Sequence, residues 1–489
     1  MKKSTKIINI AFQIKKIIMM QKVNMIFKLT VFIIFIHLIT TSSFAQNKVT
    51  GTFTQLAGQK VRLEGFKGFN TYVISNTTAD ENGNFTLFYQ DDDQGMGYVV
   101  SKDNQPFILV LSGEEIELRG ESPGNAQSVE VVKGKENQLF GQYATEHPRR
   151  EQALSAWIYL ERIYTQDSLF AVHDTPQQAI GMEKQRIRQE DSTFLANLKP
   201  DMYVSWFLPV RKLVSSVSTI AQYRTEEIPG AIEAFRELDY TEPRMYKSGL
   251  LRDALDSHVW LIENSGRPLD SVFTELNISI DQMLENLYQD EQKFNEITEY
   301  LFELLEQRSL FGSSEYLAIK LLTESTCTLD ADLANQMEQY RKMKKGNIAP
   351  DFSFPEIVIM PGHIAASSLK EIPSDYKVVV FAAGWCGHCR QELPAIASVY
   401  DKWKEQGVEV IFVSLDETEQ EFQSFTGDFP FVSVTDFKKW DSPIVQDYHI
   451  FATPTFYLLN KDLEIILRPH SAEQMDSWVD WHLVKGNSR

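Results

Sequence analysis

The sequence predicts a multidomain chain in which a small all-β domain and an all-α region precede a C-terminal α/β domain. With 489 residues, the chain is too long for a single hydrophobic core. Three patterns follow one another: short runs rich in β-branched and aromatic residues, long amphipathic stretches, and then strands that alternate with helices. We therefore expect residues 46–125, 126–345 and 346–489 to form three domains, preceded by a separate segment at 1–45.

The N-terminal segment has the pattern of a secretory signal peptide. Residues 1–45 carry seven lysines without arginine or acidic residues, and the apolar run Leu29–Ile39 follows the lysines. Ser43 and Ala45 are the small residues expected before a cleavage point after Ala45. The apolar run is short for a membrane span. We therefore expect an exported, periplasmic protein, and the alternative is an uncleaved membrane anchor.

The composition is that of a folded protein with an acidic surface. Hydrophobic residues make up 43% of the chain, which is typical of a globular protein and too many for a disordered one. The formal net charge is -19. An acidic chain gains nothing from counterion release on nucleic acid, so we expect no nucleic-acid partner.

Residues 46–125 are predicted to form a small β-sandwich or β-barrel. Runs rich in valine, isoleucine, phenylalanine and tyrosine, divided by turn residues, are typical of strands. The dipeptide Asn82-Gly83 fits a hairpin turn because it tolerates positive φ. Seven runs are expected to be strands: Lys48–Thr54, Lys60–Gly65, Tyr72–Asn76, Phe85–Tyr89, Tyr98–Ser101, Phe107–Leu111 and Glu115–Leu118.

Residues 126–345 lose the strand pattern and are predicted to be helical. Apolar side chains in residues 296–305 repeat at the spacing of one helix face. Pro200, Pro229 and Pro268 fall between the expected helices, where proline is tolerated. The amphipathic stretches are Gln152–Tyr164, Gln177–Asn197, Met202–Val217, Ala231–Leu238, Lys247–Asn264, Ile280–Gln307, Ser314–Thr323 and Ala331–Lys344.

From residue 346 onward, strands alternate with helices. Lys377–Ala382 and Val408–Leu415 are almost continuously apolar, as expected of strands buried on both faces. The helix between them is expected to end at Gly407. A helix, a short strand, a strand pair and a terminal helix follow at Thr418–Phe425, Phe431–Thr435, Thr455–Leu459 with Leu463–Leu467, and Ser471–Val484. This order predicts a parallel sheet with an antiparallel edge.

Two of the three cysteines, Cys386 and Cys389, form a local pair where a buried strand is expected to meet a helix. Backbone N–H groups at a helix N-terminus stabilise an anion, so a thiolate at the first cysteine is favoured. The second cysteine lies one turn further on, where it can resolve a mixed disulfide. The spacing therefore predicts a redox pair. Cys327 is distant, and we expect an inert buried thiol there.

Half of a zinc site is the alternative interpretation of this pair. Structural zinc takes four ligands, and neither Cys327 nor a histidine stands at ligand spacing from the pair. Trp385, directly before the pair, also suits a redox site, which it would cap. We therefore predict no metal and no organic cofactor.

The residues around the pair resemble the active-site segment of thioredoxin-like proteins. The similar segment is 381–394, which reads Phe-Ala-Ala-Gly-Trp-Cys-Gly-His-Cys-Arg-Gln-Glu-Leu-Pro. Its tail from Glu392 to Pro394, and the segment Ala349–Phe352, are similar to the TlpA/ResA branch of bacterial envelope proteins. Residues 451–456 resemble the cis-proline loop of the same fold. The resemblance implies a C-terminal thioredoxin fold, and the front regions resemble, more weakly, the N-terminal extension of some of these proteins.

The resemblance also implies a role for individual residues. Cys386 would be the nucleophile and Cys389 the buried resolving thiol. Pro454 would hold a cis peptide bond beside the pair and direct the Thr453 backbone at an extended segment of a protein substrate. Glu392 would tune thiol acidity and proton transfer, and the alternative is an exposed helix carboxylate.

One dipeptide departs from the branch, which usually has proline before its second cysteine. This chain has Gly387-His388, the dipeptide of protein disulfide isomerases. An imidazolium beside Cys386 would stabilise the thiolate, and with it the reduced pair, making the couple more oxidising. The alternative is a solvated, inert imidazole. The sequence leaves the direction of the reaction open.

We predict a thiol–disulfide oxidoreductase of the cell envelope that exchanges disulfides with protein substrates. The resemblance implies a reductase that receives electrons from a membrane donor. Two alternatives remain: a disulfide isomerase or oxidase, or a protein-binding module in which the thioredoxin fold is a passive scaffold.

Overall fold

The computed structural model describes residues 47–101, 106–323, 329, 331–355, 357–359, 366–427 and 429–485. The predicted signal peptide at 1–45 and Cys327 lie outside the described residues. Tertiary contacts divide the chain into two compact units. The first holds the described residues up to Ala144 together with Pro200–Val204, and the second holds Thr145–Lys199 and the described residues from Ser205 onward. Within the described ranges, no helix is both long and apolar enough to cross a membrane.

The first unit contains two four-stranded sheets, with strand orders β4-β1-β7-β8 and β3-β2-β5-β6. In β4 every second side chain is buried, and both sheets contribute to one core that includes Val49, Leu63 and Leu109. The strands are β1 Asn47–Phe53, β2 Lys60–Lys67, β3 Asn70–Thr78, β4 Asn84–Tyr89, β5 Gly95–Val100, β6 Phe107–Leu111, β7 Ile116–Gly120 and β8 Glu130–Lys133. The predicted all-β region is confirmed, and only the half-buried β8 escaped prediction.

The turn before β4 requires glycine. Gly83 has φ +78°, and a Cβ atom there would lie 1.9 Å from the carbonyl oxygen of Phe53. The same approach allows the Phe53 N–H to donate to the Gly83 carbonyl at 3.0 Å. The Asn-Gly pattern therefore marks a close crossing of two backbones.

The helical region contains ten described helices. They are α1 Lys135–Gln166, α2 Asp174–Ala196, α3 Tyr203–Tyr223, α4 Ile228–Arg236, α5 Pro243–Tyr246, α6 Leu251–Glu263, α7 Leu269–Leu287, α8 Glu291–Gln307, α9 Phe311–Thr323 and α10 Ala331–Lys342. The prediction of one helix over Ile280–Gln307 is wrong, because α7 ends at Leu287 and α8 begins at Glu291. Asp290 caps α8 by accepting a hydrogen bond from the Lys293 N–H at 3.1 Å.

The C-terminal region is built on a six-stranded sheet of order β14-β13-β10-β11-β12-β9. Its strands are β9 Ile357–Ile359, β10 Tyr376–Ala382, β11 Val408–Ser414, β12 Val432–Thr435, β13 Thr455–Asn460 and β14 Ile465–Leu467, and its helices are α11 Cys389–Glu405, α12 Glu419–Thr426, α13 Pro443–Asp447 and α14 Ala472–Val479. Strands β10, β11 and β12 are parallel, whereas β13, β14 and β9 pair antiparallel. The predicted α/β domain is confirmed.

Strand β10 is buried on both faces, and its alternating side chains enter two cores. Val378 and Val380 pack with Leu393 of α11, and Val379 and Phe381 pack into the core on the other face. Helix α11 lies against the first face through further buried apolar residues. Burial of β10 and α11 against each other holds the short connection between them, which contains the cysteine pair.

Candidate active site

Cys386 and Cys389 are joined by a disulfide bond, with their Cα atoms 5.2 Å apart. Cys389 is the first residue of α11 and is fully buried, whereas Cys386 is 9% exposed. The Cys389 N–H points at the Cys386 sulfur, with N and Sγ 3.2 Å apart. A backbone N–H at a helix start stabilises negative charge on that sulfur. The first cysteine is thus the accessible one, and it lies where a thiolate is favoured.

The loop at residues 451–455, called the Pro454 loop below, lies against the Cys386 sulfur. Its Thr453–Pro454 peptide bond is cis. The carbonyl oxygen of Thr453 lies 3.3 Å from Cys386 Sγ. Thr455 begins β13 and donates a hydrogen bond from its hydroxyl to the Ala452 carbonyl at 2.7 Å. The structure therefore brings Thr453 and Pro454 to the cysteine pair, 67 residues from Cys386 along the chain.

Glu392 connects α11 to the N-terminus of α14. Its Oε2 atom accepts a hydrogen bond from the Ala472 N–H at 2.7 Å, and its side chain is 15% exposed. A carboxylate at a helix N-terminus satisfies an otherwise unpaired N–H group and interacts favourably with the helix dipole. Glu392 is therefore held by the fold rather than free in solvent.

Gly387 and His388 lie on the open side of the pair. The His388 side chain is 61% exposed, and its Nε2 atom lies 3.8 Å from Glu392 Oε1. A Cβ atom at Gly387 would meet no atom within 4 Å beyond the adjacent residues, so packing does not require glycine there. Both residues face solvent beside Cys386.

Trp385 forms an exposed aromatic pair with Trp440, a residue that the sequence did not single out. The ring centroids are 6.3 Å apart, and the two residues are 45% and 37% exposed. Lys439 Nζ lies 5.2 Å from the centre of the Trp385 ring. Phe437 and Lys439 both have positive φ, so the segment before Trp440 has an uncommon backbone for non-glycine residues. A lone tryptophan in a loop carries no pattern that would have revealed this pair.

Asp416 is a second residue that sequence reasoning missed. Its Oδ1 accepts a hydrogen bond from the Gly384 N–H at 2.9 Å, and its Oδ2 accepts one from the Ser414 hydroxyl at 2.7 Å. Asp416 is fully buried, and desolvation raises the pKa of its carboxyl. An acidic residue just after a buried parallel strand was the available signal, because the ends of β10 and β11 meet at one edge.

The described part of the chain contains no group of three or more His, Cys, Asp or Glu side chains positioned to hold a metal ion.

Comparison with known proteins finds similarity to thioredoxin-like proteins. A family model described as thioredoxin-like matches residues 374–465. Thiol-disulfide oxidoreductase ResA of Bacillus anthracis is 28% identical over 141 residues, which cover 28% of this chain and 78% of that protein. Thioredoxin-like protein YneN of Bacillus subtilis (strain 168) is 31% identical over 123 residues, covering 24% of this chain and 67% of that protein. A solved thioredoxin-like protein from Bacteroides caccae ATCC 43185 aligns with a TM-score of 0.37 and 17% identity, over 53% of this chain and 93% of that one.

Proposed function

This chain belongs to the TlpA/ResA-like branch of the thioredoxin family and is a thiol–disulfide oxidoreductase, and from that premise we propose that it reduces disulfides of protein substrates in the cell envelope. One observation carries the proposal: Cys386 Sγ receives the N–H of a helix start, is bonded to a buried partner sulfur, and lies against the Thr453 carbonyl. A nucleophile, a resolving thiol and an adjacent backbone edge are the parts that disulfide exchange with a polypeptide needs.

The reaction begins from the reduced pair. The Cys386 thiolate attacks one sulfur of the substrate disulfide, that S–S bond breaks, and the departing substrate thiolate takes up a proton. The Cys389 thiol gives up its proton and attacks the Cys386 sulfur, which releases the second substrate thiol. Two electrons have passed to the substrate, and the Cys386–Cys389 disulfide is restored. Burial keeps Cys389 from other partners, so the mixed disulfide forms at Cys386.

The neighbouring residues would act on this exchange in different ways. Thr453 and Pro454 would align an extended substrate segment beside Cys386, while Trp385 would cover the site. Gly387 and His388 would adjust the reduction potential of the cysteine pair from the solvent side. Their exposure supports a small shift in that potential. Glu392 would influence proton transfer from its position on the first turn of α11.

The cellular setting is part of the proposal. The lysine-rich, apolar N-terminus supports export to the periplasm with cleavage after Ala45. We further propose that residues 46–125, 126–345 and 346–489 are three domains, and that a membrane protein supplies the electrons that regenerate the dithiol. These electrons are required because each turnover leaves the pair oxidised.

Trapping tests the enzymatic role. A Cys389→Ser variant retains the nucleophile but cannot resolve the mixed disulfide, so it should accumulate disulfide-linked partners in envelope extracts. The matched control is Cys386→Ser, which lacks the nucleophile. Equal amounts of linked partner in both variants would favour the protein-binding module.

The reduction potential of the pair tests the direction. A reductase should lie near the thioredoxin value of about −270 mV, whereas an oxidase should approach about −120 mV. A potential near the oxidising value would overturn the reductase assignment and favour the isomerase or oxidase alternative.

A further inference from the structure

The helical region touches the Pro454 loop through one aromatic contact. Phe302 of α8 is fully buried and meets Phe451 edge-on, with ring centroids 5.8 Å apart and an interplanar angle of 90°. Phe451 stands two residues before Thr453, whose carbonyl oxygen contacts Cys386 Sγ. The Phe302–Phe451 contact therefore joins the helical region to the loop that borders Cys386.

A buried ion pair also joins the helical region to the C-terminal sheet. Arg468, directly after β14, donates from Nη2 to Glu306 Oε2 of α8 at 2.9 Å, and their side chains are only 8% and 3% exposed. Arg468 Nη1 donates to the hydroxyl of Tyr340, whose ring lies edge-on to Phe302 with centroids 4.8 Å apart. Removing one partner of a buried pair leaves the other charge uncompensated, so this pair constrains the register between the helices and the sheet.

The Pro454 loop is thus supported from both of its ends. On the N-terminal side, Phe451 rests on Phe302. On the C-terminal side the chain continues into β13, where the Tyr457 ring lies 5.0 Å from the Arg468 guanidinium. Close-packed side chains transmit a displacement to their neighbours instead of absorbing it. A shift of Phe302 would therefore move the backbone around Thr453.

We propose that the helical region is a positioning element for the Pro454 loop, with Phe302 and Phe451 as its positioning residues. The inference rests on the proposed function, in which an extended substrate segment aligns along Thr453. The contact acts first on the docking of a polypeptide, because Phe302 touches the loop directly and reaches Cys386 Sγ only through the backbone around Thr453. The helical region thereby sets how well the enzyme binds protein disulfides compared with small ones.

A pair of conservative variants of the full-length chain tests this separation. Phe302→Leu keeps an apolar side chain in α8 but removes the edge-on ring contact. The matched control is Phe294→Leu, because Phe294 is also in α8 and fully buried, yet stacks on Tyr288 within the helical region. With dithiothreitol as reductant, KM and kcat are measured for insulin, a protein disulfide, and for hydroxyethyl disulfide, a small one.

Phe302→Leu should raise KM for insulin about three- to tenfold, the range expected for coupling through a packed contact. For hydroxyethyl disulfide, which is too small to align along Thr453, KM and kcat should change by less than about twofold, because only the displacement of the Thr453 carbonyl reaches the sulfur. Phe294→Leu should change neither substrate's KM. Equal effects of the two variants on insulin, or equal effects of Phe302→Leu on both substrates, would overturn the inference.

Phe451→Leu removes the Phe302–Phe451 ring contact from the side of the loop. It provides the same test if Phe302→Leu does not fold. It should raise the insulin KM similarly, and the double variant should be no worse than either single one, because both remove the same contact. Additive effects would contradict a shared contact. A wild type that reduces neither disulfide would overturn the proposed function, whereas an active wild type with unaffected variants would overturn only the positioning role.

Discussion

Replacing His388 by asparagine tests how strongly the imidazole tunes the redox pair. The sequence resemblance to disulfide isomerases favours a more oxidising couple, because a cation beside Cys386 stabilises the reduced form. The structure limits that effect, since the His388 side chain is 61% exposed and lies 3.8 Å from a Glu392 carboxylate oxygen. The imidazole of His388 therefore interacts with water and with the Glu392 carboxylate as well as with the Cys386 sulfur, which weakens its effect on the sulfur.

The magnitude follows from this exposure. Charge pairs at a protein surface contribute about 0.2–1 kcal/mol. For a two-electron couple about 30 mV corresponds to about 1.4 kcal/mol, so His388→Asn should make the potential more negative by roughly 4–20 mV. Such a shift is small beside the gap of about 150 mV between thioredoxin and a strong oxidant. His388 alone is therefore not expected to turn a reductase into an oxidase.

The assay is equilibration of the purified chain with glutathione redox buffers, in low and in 1 M salt. The shift should shrink in 1 M salt, where the screening length falls to about 3 Å. His482→Asn, which removes an exposed histidine from the C-terminal segment after α14, is the matched control and should leave the potential unchanged. If His388→Asn shifted the reduction potential by more than about 60 mV, or toward a more positive value, the inference that His388 interacts only weakly with the pair would be refuted.

Three further predictions concern residues that the fold brings together. Arg468→Met should lower the free energy of unfolding, measured by urea titration, by about 3–5 kcal/mol, because the buried Glu306 carboxylate loses its partner. Arg341→Met removes an exposed ion pair and should lower it by at most about 1 kcal/mol. Similar losses in the two variants would contradict the role of burial. Because burial raises the pKa of Asp416, the native state holds this proton more tightly, so its contribution to stability is complete below about pH 3.9 and is lost as pH rises through the raised folded-state value. Asp416→Asn should remove this pH-dependent loss of stability. If the free energy of unfolding changed with pH in the same way in the variant and the wild type, the prediction would be wrong. Trp440→Ala should raise KM for insulin about two- to fivefold by deleting one ring of the exposed pair, with Trp481→Ala as the exposed control; an unchanged KM would show that substrates do not touch this ring.

Local patterns were sufficient where an element depends on its own residues. The apolar runs at 377–382 and 408–415 became β10 and β11 because strands covered on both faces need continuous hydrophobicity. The helix after the cysteine pair ends before Gly407, whose φ of +77° suits the residue that follows a helix. The single helix predicted over 280–307 failed because amphipathic spacing continues on both sides of Asp290, whose capping was not considered.

The sequence by itself determined the order of the all-β, all-α and α/β regions and indicated that Cys386 and Cys389 form a redox pair, because both depend on periodicity and spacing within short segments. Only the tertiary structure decided that Thr453 lies against the Cys386 sulfur and that Asp416 accepts a hydrogen bond from the Gly384 N–H. It also decided that Arg468 meets Glu306, 162 residues away. Such contacts join side chains from separate elements, and they form only when burial of the apolar faces brings those elements together.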